Sequence, residues 1–254
     1  MALDSAMRRC RYQFFSQLFV YSLIGSLVIN GAEEIPAQPL PHNTDQAISP
    51  LTQLHNLLAE GNQKSADPAM LLQLADLYLE IGQNFHQDES RKRGAFEEGA
   101  RLAKQVLENE EHNAEAHFLY AANLGSSAQI AGLMASAMTV NTLKTHLQRA
   151  LDLDPGHARA LHMMGMMLEE LPWFLGGDKD MAITYLVRAT EAKPDYIRAR
   201  LDLAKIYMNR QKYNAARSEL LTILETRPAP PSSESRLQHQ QEAKKLLDSL
   251  AIHH

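Results

Sequence analysis

Apolar residues recur every three or four positions along most of the chain, from Leu71 to Leu250, and the recurrence stops only at polar, proline-containing or glycine-containing points. That spacing is the period of an α-helix with one buried face. The segment from Ile197 to Pro228 shows it most cleanly. Leu203, Ala204 and Tyr207 mark the inner face of one helix, and Tyr213, Ala216, Leu220 and Ile223 mark the inner face of a second, with Pro228 after its end. Two small residues, Ala204 and Ala216, let the helix backbones approach, while Leu203, Tyr207 and Leu220 fill the space between them. Proline after the second helix cannot continue it, so the pair closes as an antiparallel hairpin.

The offsets within this hairpin are those of the roughly 34-residue tetratricopeptide (TPR) repeat. Three earlier hairpins follow the same template with a stretched middle. Leu74, Ala75 and Tyr78 pair with Gly99, Ala103 and Val106, across a polar stretch, Gln83 to Arg93, that is longer than the template. Tyr120, Ala121 and Leu124 pair with a helix ending at Ala150, Leu151 and Pro155, with about ten residues to spare. Met164, Gly165 and Leu168 pair with Ala182, Leu186, Ala189 and Pro194, around an insertion of five residues, Leu171 to Leu175. Asp67-Pro68 is a helix start, with an N-cap followed by proline at the first helical position. A single hairpin cannot bury its own apolar face, so the units stack. The fold class expected is all-α, a TPR-like helical-hairpin solenoid over residues 51–227, with a first helix at 51–60. A linker follows at 228–235, then a C-terminal capping helix at 236–254 that is polar on its outer side.

The N-terminus has a different pattern. Arg8, Arg9 and Arg11 precede an uncharged, largely apolar run from Phe14 to Ile29, then Asn30-Gly31-Ala32 and the acidic pair Glu33-Glu34. This order reads as an export signal over residues 1–32, cleaved or kept as an anchor, followed by a proline-rich tether over 33–50. The expected location is the periplasm. The only cysteine, Cys10, precedes the apolar run, so cleavage leaves no disulfide and no lipid-bearing cysteine. A net charge of −5 offers no basic surplus for phosphate neutralisation, which excludes nucleic acid as the partner.

Four stretches carry a family resemblance: FEEGARLA at 96–103, AEAHFLYAANLG at 114–125, LQRALDLDP at 147–155 and LPWFLGGDKDMA at 171–182. Together the region from Gly94 to Pro228 resembles the T components associated with TRAP-type tripartite periplasmic transporters, and the Pro-aromatic-x-Gly-Gly insertion is the most specific part of the match. The resemblance implies an all-helical periplasmic protein that self-associates and either carries a small apolar ligand or docks onto a solute-binding or transport partner.

Candidate binding residues fall in two groups. In the insertion, Pro172 interrupts the helix, Trp173 and Phe174 supply apolar area, and Gly176 and Gly177 allow a tight backbone path. The insertion is either a lip or interface anchor, or a loop folded onto its own core. On the expected inner face, template positions give Glu115, Phe118 and Ala122, then Arg159, His162 and Met166, then Arg198, Leu201 and Lys205. Arg159, Arg198 and Lys205 offer charge to an acidic peptide or carboxylate, against the simpler reading of solvated cations. Two further features are packing first. Met163, Met164, Met166 and Met167 crowd one turn, as core, as an adaptable apolar pocket or as a thioether site for Cu(I). Ser126 to Ala137 reads as one small-residue helix, suited to internal packing or to a homo-oligomer interface.

No metal-ligand spacing, nucleophile triad or phosphate loop occurs in the sequence. The expectation is therefore a non-enzymatic binding protein without cofactor or metal. Its partner is a solute-binding or transport component or a small apolar ligand, and the alternative is a general protein–protein scaffold of the cell envelope.

Overall fold

The computed structural model describes residues 67–84, 88–226 and 234–251, together with Asn56, all within one compact unit, Ala47–His254. The signal and tether expected at 1–50 lie outside these residues, as do most of the linker at 228–235 and, Asn56 apart, the expected helix at 51–60. The described residues form nine α-helices: α1 (Pro68–Asn84), α2 (Glu89–Leu107), α3 (Ala114–Ala131), α4 (Leu133–Leu153), α5 (Ala158–Glu170), α6 (Lys179–Ala192), α7 (Ile197–Asn209), α8 (Tyr213–Glu225) and α9 (Glu234–Ala251). A single 3-10 turn, Trp173–Leu175, stands between α5 and α6. The helices pair as four hairpins plus a final helix, as the all-α TPR-like reading requires.

Local chemistry sets the helix starts. Asp88, Asn113, His157 and Asp178 each accept a hydrogen bond from a backbone N–H of the first turn they precede. Each such cap satisfies a donor that the helix itself leaves open, typically worth about 1 kcal/mol. Small residues sit where helices cross closely. A Cβ on Gly165 would lie 2.8 Å from Leu186 Cγ and 3.0 Å from the Ala182 carbonyl oxygen, so the Leu186 side chain and the α6 backbone pack directly on the α5 backbone there.

The stretched middles of the first two hairpins resolve as helix, and two expectations need correction. The long polar stretch Gln83 to Arg93 is mostly helix: α1 runs on to Asn84 and α2 starts at Glu89. The ten spare residues of the second hairpin likewise become extra turns, giving α3 18 residues and α4 21. The small-residue segment Ser126–Ala137 is not one helix. Gly132 breaks it with φ 103°, a backbone conformation that side chains disfavour, and the chain reverses there. The expected helix over 236–254 begins two residues earlier, at Glu234.

Apolar burial is divided along the array. The main cluster runs from Leu71, Leu74 and Phe96 through Leu119, Leu147 and Leu161 to Ala182, Ala189 and Ala199. A second cluster joins Ile197, Leu201, Ala204, Leu220 and Ile223 to Ala243 and Leu250 of α9. Leu186, Leu203 and Ile206 form a small separate contact between α6 and α7. Of the methionine group, Met164 is buried and Met163 and Met167 pack against the main cluster.

Candidate functional site

The first helix of each hairpin contributes to one polar ladder. Arg159 of α5 reaches Asp76 of α1 at 2.5 Å and Glu115 of α3 at 3.4 Å, and its guanidinium lies 4.5 Å over the ring of Phe118. His157 accepts the Ala160 N–H at Nδ1, which leaves its Nε2–H to donate to Glu115 at 2.8 Å. His162 faces Asp202 of α7 at 2.9 Å through Nε2, and the Tyr196 hydroxyl at 3.1 Å through Nδ1. Lys205 then links Asp202, at 3.9 Å, to Glu242 of α9, at 2.8 Å.

The electrostatics follow from these contacts. Burial pushes the Asp202 carboxyl up, yet the bond and charge of His162, with Arg198 and Lys205 nearby, hold it below its ordinary value. Glu115 is likewise held down, by His157 and Arg159 acting against burial. Burial raises Tyr196, which keeps its hydroxyl protonated and able to donate to His162. Arg159 is raised by Asp76 and Glu115, whose pull outweighs burial.

This ladder changes the standing of the inner-face candidates. Phe118 is buried beneath Arg159, and Met166 packs against the small α6–α7 contact. Arg159, His162 and Lys205 are engaged with acids of the same chain, so they brace the array instead of presenting free charge. Arg198 remains exposed.

The α5–α6 insertion is arranged the other way. Leu171 is buried and roots it, but Trp173 is 84% exposed and Phe174 66%, with Leu175 also open, so the loop does not fold onto its own core. Its base is fixed. The N–H groups of Leu175 and Gly177 both bond to the Pro172 carbonyl, and the Asp178 N–H bonds to the Leu168 carbonyl. Gly176 takes φ 86°, and a Cβ on Gly177 would collide with the Leu171 carbonyl. Arg210, at the end of α7, bonds both Glu169 of α5, at 2.6 Å, and the Lys179 carbonyl of α6, at 2.7 Å, clamping the helices that flank the loop. Trp173 and Phe174 meet edge to face, 5.9 Å between centroids. The result is a pinned apolar prong.

Beside it, the first half of α4 contains no buried residue; Leu147 is the first. Leu133, Met134 and Met138 stand open there, and Lys144 lies against Gly176. Met134 and Met138 belong with the methionine set read from the sequence; Leu133 and Lys144 were not singled out there. Their signal was nonetheless present: no Asp, Glu, Lys or Arg occurs from Ala116 to Leu143, so Lys144 is the first charge after a long uncharged run.

Elsewhere, His117 Nδ1 meets His146 Nδ1 at 2.8 Å, while its Nε2–H donates to the Glu111 carbonyl. A cavity of about 340 Å³ is formed by the turn Asn109–Asn113 and has polar walls. Among the described residues no cluster has the ligands for a metal ion, and no helix is long and apolar enough to cross a membrane.

Comparison with known proteins gives two family matches. Residues 42–170, just over half of the chain, match the model described as regulator of microtubule dynamics protein 1-3. Residues 177–233 match a tetratricopeptide repeat. Regulator of microtubule dynamics protein 1 of Bos taurus is 27% identical over 210 residues, covering 76% of this chain and 65% of its own length. The Mus musculus protein of the same name is 24% identical over 263 residues, covering 93% of this chain and 85% of its own. A thermophilic TPR protein of Thermus thermophilus superposes with a TM-score of 0.59 at 16% identity, over 77% of this chain and 91% of that one, which is a likeness of fold. The two family matches meet at the prong, one ending at residue 170 and the other beginning at 177.

Proposed function

This chain belongs to the regulator of microtubule dynamics protein 1-3 family, and we propose that it is a non-enzymatic TPR-like scaffold whose partner protein docks on the prong Trp173–Leu175. The observation that carries this reading is the contrast between two surfaces. Arg159, His162 and Lys205 of the inner face are held by acids of the same chain, whereas two large aromatic side chains are held out in water on a rigid base. Exposed apolar area of this kind marks an interaction site. Tryptophan is the residue most often found at the energetic centre of an interface, and a preformed loop loses little entropy on binding. TPR arrays serve protein–protein contact, and the names of the relatives support a role in regulating microtubule dynamics. A second reading rests on the resemblance of the insertion to TRAP transporter T components. There the partner is a solute-binding or transport component, and the segment at 1–32 exports the protein to the periplasm.

The test is co-sedimentation with assembled microtubules, paired with a turbidity assay of tubulin assembly, for the parent chain and the Trp173→Ala/Phe174→Ala variant. Helicity stays at the parent level, because both side chains lie outside the core. Binding that falls at least about tenfold in the variant supports the proposal. A parent chain that neither sediments nor alters assembly removes the microtubule role, and equal binding by both forms removes the prong.

A further inference from the structure

We infer that the prong and Lys144 together form a receptor for an acidic segment of the partner, one that places an apolar side chain on Trp173 and Phe174 and a carboxylate on Lys144. The inference rests on the reading of the prong as the partner surface and goes further by stating the partner's chemistry.

Position supports it first. The Lys144 ammonium stands 3.4 Å from the place a Cβ on Gly176 would occupy, so it lies against the turn that ends the prong. Gly176 has no side chain to push it away. On α4 the spacing 133, 137, 140, 144 keeps Leu133, Ala137, Val140 and Lys144 on one face. An apolar strip therefore leads to a single cation.

Charge supplies the second argument. Among the described residues no ion pair engages Lys144, whereas Arg159, Lys205, Arg200 and Arg210 all hold carboxylates of this chain. α4 carries no acid before Asp152. Two residues beyond Gly176, Asp178 is committed to capping α6 through two backbone N–H groups, and Asp180 lies 3.5 Å from Arg210. Lys179 between them is 3.5 Å from Glu169 and still mostly exposed. The complement of exposed apolar rings beside an unengaged ammonium is an apolar side chain flanked by carboxylates. A basic segment would meet repulsion at Lys144, and a purely apolar one would leave that charge without a counterpart.

The experiment uses the full chain and three fluorescein-labelled hexapeptides, EELFEE, QQLFQQ and KKLFKK, read by fluorescence anisotropy. EELFEE binds tightest, about threefold or more over QQLFQQ at low salt, and the preference shrinks as salt is added. Trp173→Ala weakens EELFEE and QQLFQQ alike by about tenfold. Lys144→Gln removes the preference for acid, and Lys144→Glu reverses it in favour of KKLFKK. Equal binding of the three peptides by the parent chain overturns the inference, as does an acid preference that survives Lys144→Glu. Failure of the microtubule assay with the peptide preference intact removes the family role and keeps the receptor. Prong-dependent microtubule binding with no peptide preference does the reverse.

Discussion

Arg159→Met tests whether the inner-face charge belongs to the fold. Methionine keeps most of the apolar stem over Phe118 and removes the guanidinium, so the change isolates the bonds to Asp76 and Glu115. Hydrogen bonds between charged groups are worth about 1.5–3 kcal/mol when buried, but exposed ion pairs only about 0.2–1. Here the arginine side chain is 33% exposed and its partners 48% and 40%, which places each bond toward the lower range. The cation–π contact adds about 0.5–1 kcal/mol. Together the variant loses about 1–2 kcal/mol, and each kcal/mol lowers Tm by about 2–4 °C in a protein of this size. The assay is urea unfolding of the parent, Arg159→Met, Asp76→Asn and the double variant. A coupling energy of about 0.5–1 kcal/mol shows that Arg159 ties α1 to α5 in solution. Additivity within about 0.3 kcal/mol, the ordinary result for independent sites, refutes the bracing argument and returns Arg159 to the pool of free cations.

Gly99→Ala drives a methyl into Asn123, whose amide donates to the Ala75 and Leu119 carbonyls while its own carbonyl oxygen lies buried against Gly99. The expected loss is about 1–3 kcal/mol by thermal unfolding, and it shrinks in an Asn123→Ala background. Ala204→Leu overpacks the α7–α8 crossing, where Ala204 is fully buried, at about 1–3 kcal/mol; a variant as stable as the parent means the repeat register is wrong. His146 is held below its ordinary value by burial and then by His117. Its folded form therefore takes up a proton less readily than the unfolded chain, and its stabilising contribution, full above about pH 6.5, is lost as pH falls through the folded value. Urea unfolding between pH 8 and 5.5 should show His146→Gln losing less stability on acidification than the parent does, and parallel losses contradict this.

Periodicity made the hairpins legible because every repeat buries the same positions: Ala75, Ala121, Ala204 and Ala216 are all fully buried or nearly so. Extra helical turns could not be told from loops, since Gln83–Arg93 is polar whether it is looped out or wound into solvent-facing helix. The break at Gly132 was hidden by its setting, because small residues on both sides leave the helical pattern uninterrupted. Register put Arg159, His162 and Lys205 forward as inner-face residues, yet their partners were not readable. The Arg159–Asp76 and His162–Asp202 contacts span 83 and 40 residues, and only the stacking of separate hairpins brings them together. The insertion was visible as chemistry, but whether Trp173 turned in or out was not readable, because it depends on a backbone path in which Gly177 passes too close to the Leu171 carbonyl to carry a Cβ.

The main apolar cluster reaches α7 only at Ala199, and this bears on cooperativity. Leu186, Leu203 and Ile206 form their own small cluster there, with His162–Asp202 and Arg210–Glu169 as struts, and we predict that α7 to α9 open as a unit. Amide exchange should report that block releasing at a lower free energy than α3. Arg210 leaves with it, and the Lys179 carbonyl at the foot of the prong loses its clamp. A ligand that needs the prong rigid therefore holds the C-terminal block closed, by an amount that grows with the logarithm of its concentration, and closing that block tightens the ligand in equal measure. The anchor and the C-terminal block are then one thermodynamic system.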